Sequence, residues 1–193
     1  YFLIGQNDIN PWHFILDKEI PKERIDGIFE DMLKGKENIV LVGMPGSGKT
    51  TVGKALARKL GREFVDTDDI IKERHGDISE IFRQKGEQHF RELESDVILE
   101  ISAKCGLVVA TGGGAVLKGE NVFRLRQNGR IYFLDRPLEQ IVPTSDRPLA
   151  LNAEAVKKRY NERFDIYLSS GKQIKMNGIV EDAVLEICED FLA

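Results

Sequence analysis

The chain has 193 residues, 41% hydrophobic and 31% charged, which is the size and balance of one ordinary globular domain with a small appendage. No apolar run approaches the ~20 residues that span a bilayer, and Cys105 and Cys188 are too few for a disulfide framework. A net charge of −4 without a dense Lys/Arg block argues against a nucleic-acid surface, so any anion the chain binds must be met by cations gathered locally. No basic stretch followed by a long apolar one marks a secretory signal, and a reducing cytoplasm is the natural compartment. The first residue is Tyr1 rather than methionine, which suggests a piece of a longer chain.

Residues 1–36 differ from the rest. Ile25, Ile28, Phe29, Met32 and Leu33 form one apolar stripe at helical spacing, and Gly35 is placed to end that helix. From Asn38 onward strands and helices alternate. Ile39–Val42 is wholly apolar, as befits a parallel strand buried on both faces. A helix follows from about Lys49 to Leu60, closed by Gly61, then a strand at Phe64-Val65. Ile78 to about Lys104 is helical with Gly86 as an interruption. Leu107–Ala110 and Ile131–Leu134 are two further buried strands. A helix from about Ala153 to Leu168, a strand at Gln173–Met176 and a helix from Ile179 to Leu192 close the chain. Such alternation predicts a three-layer αβα domain over 37–193, its parallel sheet covered on both sides, with 1–36 as an extension or linker.

Gly43-Met44-Pro45-Gly46-Ser47-Gly48-Lys49-Thr50 matches G-x-x-x-x-G-K-[ST] at every fixed position, directly after a buried strand and opening a helix. The glycines let backbone N–H groups turn inward around phosphates, and the helix N-terminus adds positive potential. Lys49 is placed to bridge the β- and γ-phosphates of ATP, and the Thr50 hydroxyl to ligate Mg²⁺. Thr51 extends the same segment. The chain lacks the Asn-Lys-x-Asp segment that a regulatory GTPase uses to read guanine, and it is too short for a motor. A compact kinase for a small metabolite remains.

The acceptor site must lie downstream. Strand Phe64-Val65 runs into Asp66-Thr67-Asp68-Asp69, and ligands gather at the carboxyl ends of parallel strands. One acid can serve Mg²⁺ through water, and another can hold or deprotonate an acceptor hydroxyl. Asp69 is expected to cap the following helix. Gly112-Gly113-Gly114 places bare backbone at the end of the next strand and suits close approach by a ligand. Arg91, Arg147 and Arg163 supply the planar forks that match carboxylates and phosphates, Arg147 in a proline-bounded loop that looks like a mobile lid.

Taken together, GMPGSGKTT, FVDTDD, GEQHFRELE, ATGGGAV, DRPLA and ERFDIY occur in the order found in shikimate kinases, and from about Asn38 to Ala193 the chain resembles that family. The resemblance implies a five-stranded parallel sheet of the nucleoside-monophosphate-kinase type with a short lid and a shikimate-binding region. It also implies transfer of the γ-phosphoryl group of MgATP to the 3-hydroxyl of shikimate, on the route to chorismate. Shikimate and ATP are then the partners, with neither nucleic acid nor membrane, and Mg²⁺ the cofactor. Carried over by position, Gly43, Pro45, Gly46, Ser47, Gly48, Lys49, Thr50 and Thr51 bind ATP, and Thr50 and Asp66 serve the metal. Asp68 holds the acceptor hydroxyls and is the candidate base. Arg91 and Arg163 clamp the carboxylate beside Gly112, Gly113 and Gly114, with Gly113 offering its N–H. Arg147 neutralises charge on the transferred group, catalytic with Lys49 and Asp68. The nearest alternative is another small-metabolite kinase of the same fold, such as a gluconate kinase.

Some residues fall outside this pattern. An arginine common at the start of the lid near adenine has no clear counterpart, Gln140 lying nearby. Asp135 ends an apolar strand like a metal acid but is expected to be structural. His13, His75 and His89 lack ligand spacing. Residues 1–36 match nothing in the kinase pattern. They are expected to be a docking helix or the tail of an upstream domain, and the sharper reading makes the chain the kinase part of a fused multi-step enzyme.

Overall fold

A computed structural model describes residues 36–141 and 153–193; the apolar stripe at 25–33 and Arg147 lie outside the described residues. Residues Glu37–Ala193 form one compact unit. Its centre is β1 (Asn38–Val42), buried at every position, which is why an uninterrupted apolar run is tolerated there. The phosphate loop leads into α1 (Lys49–Leu60), and Gly61 ends that helix in the left-handed conformation, its N–H donating to the Ala57 carbonyl. Next come β2 (Glu63–Asp66), α2 (Thr67–His75) and α3 (Ile78–Ser102), the last broken by non-helical backbone at Gly86. Asp77 caps α3, its carboxylate accepting from the N–H groups of Ser79 at 2.8 Å and Glu80 at 3.2 Å. β3 (Leu107–Ala110), α4 (Gly119–Gln127), β4 (Gly129–Asp135), α5 (Ala153–Ser170), β5 (Lys172–Lys175) and α6 (Val180–Leu192) complete the unit.

The five strands pair in the order β2-β3-β1-β4-β5, every pair parallel. Val40 faces Val109 on one side and Ile131 on the other, so the strand feeding the phosphate loop is the middle one. The chain first builds outward from β1 to β2, returns to β3, then crosses to β4. The loop after β1 therefore opens into the crevice where the strand order reverses. Buried Asn38 locks this centre: its amide donates to the Lys104 carbonyl at 2.8 Å, and its oxygen accepts from the Leu107 N–H at 2.8 Å.

Two apolar clusters cover the sheet. One joins Val40, Val42, Val109 and Phe133 to side chains of α3, α4 and α5; the other joins Ile39, Leu41, Val108 and Tyr132 to α1 and α6. Alternation along each strand sorts the side chains between these faces. α5 is seated through aromatic rings: Tyr167 stacks on Phe133 with centroids 5.0 Å apart, and Phe164 meets the same ring edge-on at 6.0 Å.

The helices α2 and α4 had no apolar periodicity to announce them. Asp66, rather than Asp69, caps α2: its Oδ1 accepts from the Asp68 N–H at 3.0 Å, because the helix begins immediately at the strand end. Asp69 is instead exposed, 3.9 Å from Lys72.

Candidate active site

The phosphate loop takes the expected form. Gly43, Gly46 and Gly48 adopt φ of 146°, 80° and 96°, conformations a side chain resists, so N–H groups can turn into the loop. Lys49 is buried and lies back along the loop, its Nζ donating to the carbonyls of Gly43 at 2.9 Å and Met44 at 2.8 Å. The Thr50 hydroxyl donates to Asp66 Oδ2 at 2.9 Å, which joins the two proposed metal-serving groups across the first turn of α1. Asp68, from the first turn of α2, is buried and lines the same cavity of about 300 Å³ as Gly46, Gly48, Lys49 and Thr50.

The glycine turn after β3 owes its composition to space rather than to left-handed backbone. An added Cβ at Gly112 would lie 2.8 Å from Asp68 Oδ1, at Gly113 2.7 Å from Pro45 Cδ, and at Gly114 2.5 Å from Arg91 Cζ. The turn is thus wedged between the phosphate loop, the acid of α2 and the guanidinium of α3. The Thr67 hydroxyl accepts from the Gly112 N–H at 3.0 Å, tying the turn to the start of α2.

Arg91 is braced on its own helix. Glu94 Oε2 accepts from it at 2.8 Å and Glu87 Oε1 at 2.9 Å, with the guanidinium 5.3 Å over the Phe90 ring. Burial alone would lower its pKa, yet Glu94 and Glu87 together hold it above the ordinary arginine value, so it is a fixed cation. Arg163 reaches the turn from α5 and donates to the Gly113 carbonyl at 3.1 Å. The buried Tyr167 hydroxyl donates to that same carbonyl, and burial pushes its phenol up, keeping the proton that makes the bond. It is therefore the Gly113 carbonyl that positions Arg163.

Asp135 is held from both sides, Tyr160 donating to one oxygen at 2.9 Å and Gln173 to the other at 2.7 Å, as a structural acid should be. Among the described residues no group of three His, Cys, Asp or Glu is arranged to hold a metal by itself. Sequence reading passed over four residues of this site. Glu94 and Arg159 were signalled by helical spacing, three residues after Arg91 and four before Arg163. Burial, and then neighbouring Arg163, press the Arg159 pKa down. Tyr167 carried no polar signal. Arg136, immediately after β4, obeys the strand-end rule, which at that strand had been tried on Asp135 instead.

A parallel sheet that reverses its order at a glycine-lined phosphate loop, with a helix opening on the loop and an acid at the end of the next strand in the chain, defines a P-loop phosphotransferase. The shikimate kinase family model matches residues 45–190. The chain is 43% identical over 155 residues to a shikimate kinase of Clostridium botulinum, covering 78% of this chain and 93% of that one. Among solved structures, shikimate kinase from Acinetobacter baumannii in complex with shikimate superposes with a TM-score of 0.78 at 34% identity, covering 84% of this chain and 96% of that one. A gluconokinase from Sinorhizobium meliloti, at 15% identity and a TM-score of 0.50 over 82% of this chain and 93% of that one, shares the fold alone. The chain belongs to the shikimate kinase family.

Proposed function

We propose that this chain transfers the γ-phosphoryl group of ATP to the 3-hydroxyl of shikimate, giving shikimate 3-phosphate. The observation that carries this reading is the convergence of Arg91 and Arg163 on the glycine turn beside Asp68, across a crevice from Lys49 and Thr50. A small acid with several hydroxyls needs cations at one end and a hydrogen-bonding carboxylate at the other, and this wall offers both. Arg91 and Arg163 bind the carboxylate, and the Gly112–Gly114 backbone shapes the floor between them. Asp68 orients the acceptor hydroxyl and takes its proton as the new P–O bond forms.

On the nucleotide side, Gly43–Thr51 wraps the phosphates and Lys49 swings from the loop carbonyls to the β- and γ-oxygens. Thr50 and Asp66 have the hard oxygen donors and mutual spacing that suit Mg²⁺. When bound, that ion supplies charge neutralisation on the phosphates. Arg147 is assigned to the transferred group, where a cation is worth about 10³–10⁵ in rate. Asp135 and the histidines take no part.

The deciding experiment is a coupled ADP-release assay offered shikimate and, separately, gluconate. Turnover with shikimate is expected; background rates with shikimate, or turnover with gluconate instead, reject the assignment. Substituting Arg163→Ala lowers kcat/KM for shikimate by at least about 100-fold, as loss of a charge-assisted pair predicts, while the affinity for ADP stays within about twofold.

We assign residues 1–36 to an appendage of the kinase domain at 37–193, and we read the pair as part of a fused multi-step enzyme because that appendage is foreign to the kinase pattern. A natural reading frame that opens within a residue or two of Tyr1 sinks that assignment. No helix among the described residues is long and apolar enough to cross a membrane. We propose a cytoplasmic location, with which the free thiols of Cys105 and Cys188 are compatible.

A further inference from the structure

Arg136 is a cation set into the nucleotide wall without a carboxylate among the described residues to answer it. It follows directly on β4, at the carboxyl end of the strand beside β1. It lines the cavity formed by Gly46, Gly48, Lys49 and Thr50. Its Nη1 stands 3.6 Å from where a side chain on Gly48 would begin, so the guanidinium lies against the residue that caps α1. Its Nε is buried and has no hydrogen-bond partner, and its guanidinium enters no ion pair among the described residues. The adjoining carboxylate, Asp135, is committed to Tyr160 and Gln173.

Partial burial of a charge is costly unless it is paired, and a buried donor left unmade costs more than the bond itself is worth. Exposed arginines escape this by reaching water; Arg136 has its Nε turned inward at the phosphate loop. Such a residue is retained where an anion arrives. The anion that this cavity receives is the nucleotide phosphate chain, held by the N–H groups of Gly46–Lys49 at the end of α1.

We infer that Arg136 is a further nucleotide-binding residue, a second cation beside Lys49 that grips the phosphates of ATP that remain in ADP and retains ADP after transfer. The inference rests on Gly43–Thr50 being the nucleotide site, and it is independent of the acceptor. Lys49 acts as a point charge on the loop side, whereas Arg136 presents a planar fork from the β4 side. Its contribution is read in the affinity for ADP, which keeps the phosphates it meets.

The test is calorimetric titration of ADP into the unsubstituted protein and into Arg136→Met, which keeps the length and removes the charge. ADP affinity is expected to fall on the order of 10- to 100-fold, the worth of a charge-assisted contact. Shikimate affinity stays within about threefold, and Arg136→Lys recovers part of the loss. If Arg136→Met does not fold, Arg136→Gln takes its place, judged by an unfolding midpoint close to that of the unsubstituted protein. Unchanged ADP affinity in a folded Met or Gln variant overturns the inference, as does an equal fall in shikimate affinity, which would mark a merely structural role. Because ADP is titrated without acceptor, a failed shikimate assay leaves this test standing.

Discussion

Gly114→Ala offers a sharp probe of the acceptor wall, since one methyl group is added where the structure leaves it no room. Gly114 has φ −109° and ψ 0°, which alanine adopts without strain, so any effect is steric. The new Cβ would stand 2.5 Å from both Cζ and Nη2 of Arg91. Carbon contacts settle near 3.5 Å or beyond, so the guanidinium must retreat by about 1 Å. That movement stretches its 2.8 Å bond to Glu94 past useful hydrogen-bonding range, and Glu94 is fully buried. Loss of a charged partner there costs on the order of 2 kcal/mol, or about 4–8 °C in the unfolding midpoint of a domain this size. Displacement of the cation proposed to bind the carboxylate raises KM for shikimate about 10- to 100-fold while KM for ATP holds within about twofold. Steady-state kinetics varied in each substrate, with calorimetry, reads all three quantities. Gly119→Ala is the control, since nothing lies within 4 Å of its added Cβ. A Gly114→Ala enzyme with unaltered shikimate KM and midpoint refutes the proposed wedge.

Other perturbations separate the metal, the aromatic seat and the rear of the sheet. Asp66→Asn keeps an oxygen to cap α2 but removes the charge beside Thr50, so the Mg²⁺ concentration for half-maximal activity rises about tenfold while stability shifts by under ~1 kcal/mol. Tyr160, its phenol pushed up to about 12 by burial and then by Asp135, donates at 2.9 Å; Tyr160→Phe costs about 1 kcal/mol in denaturant titration and leaves kcat unchanged. The Asp190 carboxyl is held below 3.8 chiefly by Lys172, against some desolvation, with Tyr132 and Arg130 assisting. A depressed acid contributes stability that is present above its unfolded pKa and lost as pH falls through the folded value. Asp190→Asn therefore flattens the stability curve only below about pH 4, and by under ~1 kcal/mol because the pair is half exposed. An unaltered acid limb in that variant contradicts the assignment.

What the residue pattern disclosed depended on how much each element spends on burial. β1 and β3, buried at every position, and α1, opened by Lys49 and closed by Gly61, were legible because apolar runs and helix punctuation are local signals. The helices α2 and α4 were not. In α2 the segment Thr67–His75 is mostly polar and buries few side chains, and in α4 Phe123 is 64% exposed, so neither carries a clean stripe. Among the described residues, Lys49, Thr50, Asp66 and Asp68 line one cavity, while Arg91 and Arg163 meet the glycine turn. The glycine turn, however, had been read as room for an approaching ligand, and the three neighbours pressed against it are something no local pattern encodes. Arg136 was overlooked for the converse reason: an arginine beside a strand-ending aspartate suggests a paired surface charge, and only the folded arrangement gives Asp135 to other donors.

The two apolar clusters on opposite faces of the sheet give the enzyme separable inheritances. The helices that carry Arg91 and Arg163 are rooted in one cluster, while the helix that opens on the phosphate loop is rooted in the other. Substitutions that resettle α3 or α5 can reshape the pocket for the acceptor without disturbing the seat of α1. Selection can thus revise which small molecule is phosphorylated while the machinery that holds ATP passes on unaltered.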